Sequence, residues 1–140
     1  MTTTIDGGLP QRWTPRHPRH VLLAEDDPEM RELMAWALRR DGYEVQEVGD
    51  GNEVLQVLGL VEGEDGGPDL LVSDVRMPGL SGLEVLERLR RSRDDLPVIL
   101  VTAFGDLETH AKAQRLGAEV LDKPFDLDDL RKRVFDVLEL

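Results

Sequence analysis

Acidic side chains follow two short apolar runs of this 140-residue sequence, and their types and spacing could support chemistry. Glu25 and Asp26 follow the run 21–24, and Asp74 follows the run 70–72 after a single serine. Carboxylates that lie together repel one another unless a cation neutralises them, and Mg²⁺ suits an all-oxygen site with few protein ligands. If folding brings these residues together, they predict a magnesium site.

A hydroxyl and an ammonium group follow two later runs in the same way. Thr102 ends the apolar run 97–101, and Lys123 follows the short run 119–122. A divalent cation, an ammonium group and a hydroxyl around one carboxylate are what a transferring phosphoryl group requires, because catalysis of that transfer is mostly positioning and charge stabilisation. The residues therefore indicate phosphoryl-transfer chemistry at the acidic cluster.

The apolar pattern predicts the elements that must position these side chains. Five short apolar runs alternate with five stretches of helical periodicity, and parallel neighbouring strands need crossover connections that are helices. The pattern predicts an α/β fold, a doubly wound five-stranded parallel sheet covered by five helices, with the ligand beyond the carboxyl ends of the strands. The predicted strands are 21–24, 43–48, 70–74, 97–102 and 119–122.

Local signals define the first and last predicted helices. Pro28 suits the first helical position and Asp27 suits the N-cap before it. Trp36 lies off the apolar stripe of this helix, which predicts an exposed Trp side chain. The stripe consists of Met30, Leu33, Met34, Ala37 and Leu38. The apolar residues predicted to face inward from the last helix are Leu127, Leu130, Val134, Val137 and Leu138.

Composition excludes several classes of protein. The sequence has no cysteine, which removes disulfides, thiolate zinc sites, iron–sulfur clusters and cysteine nucleophiles. No run approaches the roughly 18 apolar residues of a membrane span, and the N-terminus lacks the apolar segment of a signal peptide, so a cytoplasmic protein is expected. The formal net charge of −12 repels a phosphate backbone, which argues against direct nucleic-acid binding.

The sequence divides into two parts. Residues 1–18 contain prolines, glycines and arginines without an apolar period, so a flexible basic leader is expected there. Residues 19–140 are expected to form one domain with one core. Because the last predicted helix reaches the end of the sequence, a protein without a separate output domain is expected.

Four segments, each at a predicted strand end, resemble motifs of the receiver domain of bacterial two-component response regulators. The resemblance covers roughly residues 19–140 and implies a flavodoxin-like fold with strand order 2-1-3-4-5. It implies a signalling module that catalyses only its own phosphorylation and dephosphorylation, and not an enzyme. The matching segments are 25–27 (Glu-Asp-Asp), 74–82 (Asp-Val-Arg-Met-Pro-Gly-Leu-Ser-Gly), 101–103 (Val-Thr-Ala) and 122–125 (Asp-Lys-Pro-Phe).

The resemblance implies a role for each matching residue at the acidic cluster. Asp74 would attack a phosphohistidine and become an acyl phosphate. Asp26 would bind Mg²⁺ directly and Glu25 would bind it through water. Asp74 and the backbone carbonyl of Arg76 would complete the protein ligands. Lys123 would pair with Asp74 and then with the phosphoryl oxygens.

The resemblance also assigns the switch. Thr102 and Ala103 would bind the phosphoryl group, and Thr102 would move inward to do so. The peptide bond between Lys123 and Pro124 is expected to be cis and to orient the lysine. Added charge on the acceptor would then repack the face formed by the fourth helix, the fifth strand and the last helix.

Three positions modify this expectation. Arg76 and Phe104 lie two residues beyond the acceptor and the switch threonine, where bulky side chains would slow hydrolysis of the acyl phosphate. Val120 stands where the family usually has an aromatic switch residue, so rotation of an aromatic ring cannot report phosphorylation here.

The implied partners are a histidine kinase or a phosphotransfer protein, and a downstream protein that docks on the repacked face; the resemblance also allows a homodimer. Two alternatives stay open. One is a phosphorylation-independent scaffold, which Val120 favours. The other is a Mg²⁺-dependent phosphohydrolase with an aspartyl nucleophile, although such enzymes usually carry a second acid where this sequence has Arg76.

Overall fold

Five apolar segments form one parallel β-sheet in the computed structural model, which describes residues 18–60, 67–92, 95–103 and 106–139. The strand order is β2-β1-β3-β4-β5, and every neighbouring pair is parallel. This arrangement confirms the predicted doubly wound sheet. The strands are β1 (His20–Ala24), β2 (Glu44–Val48), β3 (Leu70–Asp74), β4 (Val98–Ala103) and β5 (Glu119–Lys123).

Helices connect consecutive strands, because a chain that forms parallel neighbours must cross back before each new strand. None of the helices in the described part of the chain is long and apolar enough to cross a membrane. Residues 1–17 of the predicted leader and Phe104 lie outside the described residues. The helices are α1 (Pro28–Arg40), α2 (Gly51–Leu60), α3 (Gly82–Ser92), α4 (Leu107–Arg115) and α5 (Leu127–Glu139).

Apolar side chains fill both faces of the sheet. The three central strands are buried along nearly their whole length, whereas β2 alternates between exposed and covered residues because it is an edge strand. One core lies between the sheet and α1 with α5, and the other lies between the sheet and α2, α3 and α4. Burial of each large aliphatic side chain stabilises the fold by roughly 1.5–3 kcal/mol.

Acidic side chains begin the helices that follow the strands. Asp27 caps α1 by accepting a hydrogen bond from the Glu29 amide at 3.1 Å, with Pro28 in the first turn as predicted. At the start of α5, Asp126 accepts from the Asp129 amide at 2.9 Å. Helix N-termini therefore line the edge of the sheet at which the strands end, and their dipoles favour negative charge there.

The exposed face of α1 differs from the prediction at one residue. Trp36 is 53% exposed, as predicted, and its ring lies 5.1 Å from the Arg40 guanidinium. Leu33 belongs to the predicted stripe but is 52% exposed, whereas Ala35 is buried. The predicted stripe was wrong here because the buried face of α1 consists of Met34, Ala35, Ala37 and Leu38. Position 33 lies about 200° round the helix from Ala35 and therefore on the opposite side of this face.

Candidate metal centre and acceptor carboxylate

The carboxyl ends of β1 and β3 lie side by side because these strands pair in parallel register. Ala24 pairs with Ser73, so Glu25 and Asp74, the next residues, lie together at the same edge of the sheet. Carboxylate oxygens of Glu25, Asp26 and Asp74 all lie within 4.8 Å of one another. The structure thus brings together the three acids that the sequence singles out.

Asp74 is the acid at the centre of this cluster. It is only 5% exposed, and the Lys123 ammonium donates a hydrogen bond to its Oδ2 at 3.0 Å. Burial favours the neutral amine, but the hydrogen bond and charge of Asp74, followed by the charges of Glu25 and Asp26, raise the pKa of Lys123 above its ordinary value. A permanently charged ammonium group therefore lies against the buried carboxylate.

Glu25 is the least satisfied acid of the cluster. Its side chain is 2% exposed; Oε2 accepts from the Asp27 amide at 3.1 Å, while the buried Oε1 has no hydrogen-bond partner in the described part of the chain. Burial raises the pKa of Glu25 to about 7, and the charge of Asp74 adds to this rise. A buried polar oxygen without a partner costs roughly 1–3 kcal/mol, so the site favours a cation or a proton there.

These donors fit Mg²⁺. Two buried carboxylates and the exposed Asp26 supply hard oxygen ligands of net negative charge, and one nearby ammonium group does not balance them. Mg²⁺ binds through one or two carboxylates and keeps several waters, which suits a site open on the Asp26 side. The ion would also relieve the unpartnered Glu25 oxygen, directly or through water.

Thr102 and Ala103 end β4 beside the cluster. Asp74 pairs with Val101 and Ala103 pairs with Lys123, so both residues lie next to strand ends that carry site side chains. Thr102 is 3% exposed, and its hydroxyl donates to Asp106 Oδ2 at 3.5 Å. The predicted inward movement of Thr102 would therefore have to break this contact.

The remaining predicted site residues are Pro124, Arg76 and Phe104. The peptide bond between Lys123 and Pro124 is cis. Arg76 lies exposed in the segment after β3, two residues beyond Asp74. Phe104 is outside the described residues, so its influence on hydrolysis stays a prediction.

Sequence reasoning missed two features that shape the site. A Cβ atom on Gly82 would collide with the carbonyl oxygen of Asp74, so the start of α3 packs closely against the backbone of Asp74. Arg31 donates to the carbonyl oxygen of Glu25 at 2.8 Å. Gly82 could have been singled out from the sequence, because it ends a loop that contains the turn-forming residues Pro78, Gly79 and Ser81. No sequence signal pointed to Arg31.

The family of the chain follows from comparison with known proteins. The model of the response regulator receiver domain matches residues 21–135, and the chain therefore belongs to this family. Receiver domains of two-component systems are signalling modules that interact with histidine kinases or phosphotransfer proteins, and phosphorylation and Mg²⁺ binding are typical of them.

Two relatives show different extents of similarity. The chain is 33% identical over 121 residues to sporulation initiation phosphotransferase F of Bacillus subtilis, covering 86% of this chain and 94% of that protein. It is 39% identical over 121 residues to the C4-dicarboxylate transport transcriptional regulatory protein DctD of Pseudomonas aeruginosa, covering 86% of this chain and 25% of that protein. Against several curated relatives, the chain spans a quarter to a half of their length.

Solved structures show the same fold. The response regulator TrrA of Thermotoga maritima, in complex with Mg²⁺ and BeF, superposes with a TM-score of 0.74 at 31% identity, covering 86% of this chain and 99% of that chain. A response regulator of Chloroflexus aurantiacus gives a TM-score of 0.77 at 32% identity, covering 89% of this chain and 100% of that chain.

Proposed function

We propose that this protein acts as a receiver that accepts a phosphoryl group on Asp74 from a phosphohistidine of a histidine kinase or phosphotransfer protein. Phosphorylation then controls docking to a downstream protein. The observation that most supports this proposal is the buried Asp74 carboxylate, held 3.0 Å from the Lys123 ammonium and grouped with Glu25 and Asp26.

In the proposed transfer, the protein forms a single covalent bond, between Asp74 and phosphorus. A carboxylate oxygen of Asp74 forms a bond to phosphorus while the bond between phosphorus and the donor imidazole breaks, and the imidazole leaves with the electron pair of that bond. Oδ2 is bound by Lys123, so Oδ1 is the expected nucleophile. Lys123 then stays close enough to pair with an oxygen of the bound phosphoryl group.

Mg²⁺, when bound by Glu25, Asp26 and Asp74, would supply positive charge to the phosphoryl oxygens. The backbone carbonyl of Arg76 is the further proposed protein ligand. The Thr102 hydroxyl and Ala103 are proposed to bind the phosphoryl group from the end of β4. The bulky side chains of Arg76 and Phe104, two residues beyond Asp74 and Thr102 in the sequence, are proposed to slow hydrolysis of the acyl phosphate.

Signal output is proposed to occur at the face formed by α4, β5 and α5. Phosphorylation adds about 1.5–2 negative charges to the end of β3 and draws the Thr102 hydroxyl toward them. Thr102 pairs with Asp122 of β5, and its hydroxyl contacts Asp106, the residue before α4. Movement of Thr102 therefore affects two elements of this face.

Intact-mass spectrometry after treatment with acetyl phosphate and Mg²⁺ tests the acceptor. We expect one adduct of about 80 Da on the wild-type protein, the mass of a phosphoryl group in place of a proton, and none on Asp74→Asn. Asp41→Asn, which removes an acid far from the cluster, is the matched control and should be modified like wild type. A modified Asp74→Asn protein would reject the assignment.

The same samples distinguish the two alternatives. A phosphorylation-independent scaffold would leave the wild-type mass unchanged. A phosphohydrolase would release phosphate from small phosphomonoesters with repeated turnover, whereas the proposed receiver consumes one donor for each acceptor and then returns slowly to its resting mass.

A further inference from the structure

Helix α4 buries fewer and smaller apolar side chains than the neighbouring helix α3. Its only buried side chains are Thr109 and Ala113, and Leu107 in its first turn is 78% exposed. The neighbouring α3 buries Val85, Leu86 and Leu89. Since apolar burial is the main force that docks helices, polar contacts must contribute a larger share of the docking of α4.

The C-terminal end of α4 is fixed by α3. The Arg90 guanidinium donates to the carbonyl oxygen of Leu116 at 2.6 Å and to that of Leu96 at 2.8 Å. Leu116 also packs against the core on this face of the sheet. The N-terminal turn of α4 depends on other contacts.

The first contact at this turn joins α4 to β4. Asp106 precedes the helix and accepts hydrogen bonds from the Thr109 amide at 3.1 Å, the Thr109 hydroxyl at 2.6 Å and the Thr102 hydroxyl at 3.5 Å. The hydrogen bonds from Thr109 are the main cause that lowers the pKa of Asp106, so this carboxylate is a charged acceptor. The Thr102 hydroxyl is the part of this contact that belongs to the phosphoryl site.

The second contact joins α4 to β5. The His110 ring lies with Nε2 2.7 Å from Asp122 Oδ1, and both side chains are only about a third exposed. Asp122 is the register partner of Thr102, so the two contacts start from adjacent positions on neighbouring strands. Glu119 of β5 and Arg133 of α5 line the cavity beside His110, and Arg133 bonds to the Val120 carbonyl oxygen at 2.9 Å.

These two contacts respond differently to phosphorylation. The Thr102 hydroxyl cannot bind Asp106 and a phosphoryl group on Asp74 at the same time if it turns inward. The contact between His110 and Asp122 contains no group of the phosphoryl site. Position 120 is a valine, so no large ring on β5 takes over when Thr102 leaves.

We propose that the His110–Asp122 contact is the tie that holds the N-terminal turn of α4 on the sheet in the phosphorylated protein, after the Thr102–Asp106 contact has been released. In the resting protein both ties act. The inference deepens the proposed function and, for its phosphorylated form, depends on it. It makes His110 a positioning residue for the output face, without a role in phosphoryl transfer.

Amide hydrogen exchange of α4, measured by NMR in the resting protein and with Mg²⁺ and beryllofluoride as phosphoryl stand-in, tests the inference. We expect His110→Ala to speed exchange in α4 by about three- to tenfold in the beryllofluoride form, the range of one net hydrogen bond, and by less than about twofold at rest. His110→Gln, which retains a donor at a similar position, should restore slow exchange. Glu119→Gln is the matched control on the same strand and should change neither form.

A second pair of variants tests the same tie without any phosphoryl group. Thr102→Ala removes the first tie permanently, so adding His110→Ala to it should speed exchange at rest as strongly as His110→Ala does in the beryllofluoride form. Asp122→Asn replaces His110→Ala if that variant does not fold, and should act in the same direction. Equal effects of His110→Ala in all backgrounds would overturn the inference.

The mass experiment separates this inference from the proposed function. Suppose that His110→Ala gains an adduct of about 80 Da and speeds exchange in α4 by the same factor at rest and with beryllofluoride. This result would reject the proposed role of the His110–Asp122 contact and would leave the receiver function supported. Absence of the adduct on the wild-type protein would reject the receiver function, while the Thr102→Ala background would still decide whether the tie exists.

Discussion

The acidic cluster and the groove beside α5 both contain several carboxylates, but their charges are balanced differently. In the cluster, Glu25, Asp26 and Asp74 share one ammonium group, and one buried oxygen of Glu25 has no partner in the described residues. The groove has a volume of about 840 Å³ and lies beside the amino ends of β1 and β2. A cavity of this volume is within the usual range of small-molecule sites.

Each acid that lines the groove has a partner. Arg131 binds Asp41 at 2.8 Å and Asp128 at 2.9 Å, and Lys132 binds Asp136 at 3.1 Å. The remaining acid, Glu139, accepts a hydrogen bond from the Tyr43 hydroxyl. Burial and this neighbouring carboxylate raise the pKa of Tyr43 to about 12. The difference teaches that uncompensated charge, and neither cavity volume nor the number of acids, distinguishes the proposed acceptor site from the groove.

The largest difference between the two regions should appear when one cation is removed from each. Lys123→Ala leaves Asp74 without its ammonium partner, so we expect the rate of phosphorylation by acetyl phosphate to fall about 100-fold, as for loss of one preorganised charge. Some adduct should still form, but the response of α4 should be lost. Lys132→Ala in the groove should leave the rate unchanged. Time-resolved intact-mass measurements give both rates, and equal rates for the two variants would contradict the comparison.

The next difference concerns pH. The folded protein keeps a proton on Glu25 up to about pH 7, whereas the unfolded chain loses it near pH 4.5. Without Mg²⁺, the free energy of unfolding should therefore fall as the pH rises from about 4.5 to about 7, by at most about 3 kcal/mol from this group. Added Mg²⁺ should reverse the fall, because it binds the ionised form of the folded protein.

Urea unfolding at several pH values measures this dependence. Glu25→Gln carries no titrating group at this position and should remove the pH-dependent fall. Glu139→Gln in the groove should retain it. A fall of the same size in Glu25→Gln would show that another group is responsible.

A smaller effect is expected on the affinity for Mg²⁺, which tests the cluster directly. Asp26→Asn removes one charged ligand and should weaken Mg²⁺ binding about tenfold, since hard cations depend on carboxylate charge. Asp128→Asn removes another exposed acid, this one in the groove, and should bind Mg²⁺ like wild type. Isothermal titration calorimetry compares the two, and equal affinities would place the ion elsewhere.

The smallest effect should come from the ion pairs of the groove. Asp41→Asn breaks the two-point contact with Arg131, but exposed ion pairs add little stability because water and salt screen them. We expect the melting temperature to fall by at most about 4 °C and the fall to shrink in 1 M salt. A larger fall of the melting temperature that does not change with salt would mean that the ion pairs of the groove stabilise the fold more than the cluster does.

Local sequence signals predicted most of the fold. Asp27 and Pro28 marked the start of α1, and the apolar runs marked the strands, because capping and burial patterns depend on neighbouring residues. The error at Leu33 arose because the orientation of α1 about its own axis depends on the elements packed against it. The predicted placement of Glu25, Asp26 and Asp74 together needed only the rule that parallel strands end at one edge.

The sequence by itself determined the order of the elements, the sites of their ends and the acids at those ends, because these properties follow from short-range periodicity and turn chemistry. Only the tertiary structure decided which charges are compensated. Arg131 reaches Asp41 across 90 residues, and His110 reaches Asp122 from another element. The free oxygen of Glu25 likewise depends on how deeply β1 is buried, since the same carboxylate on an exposed strand end would be solvated by water.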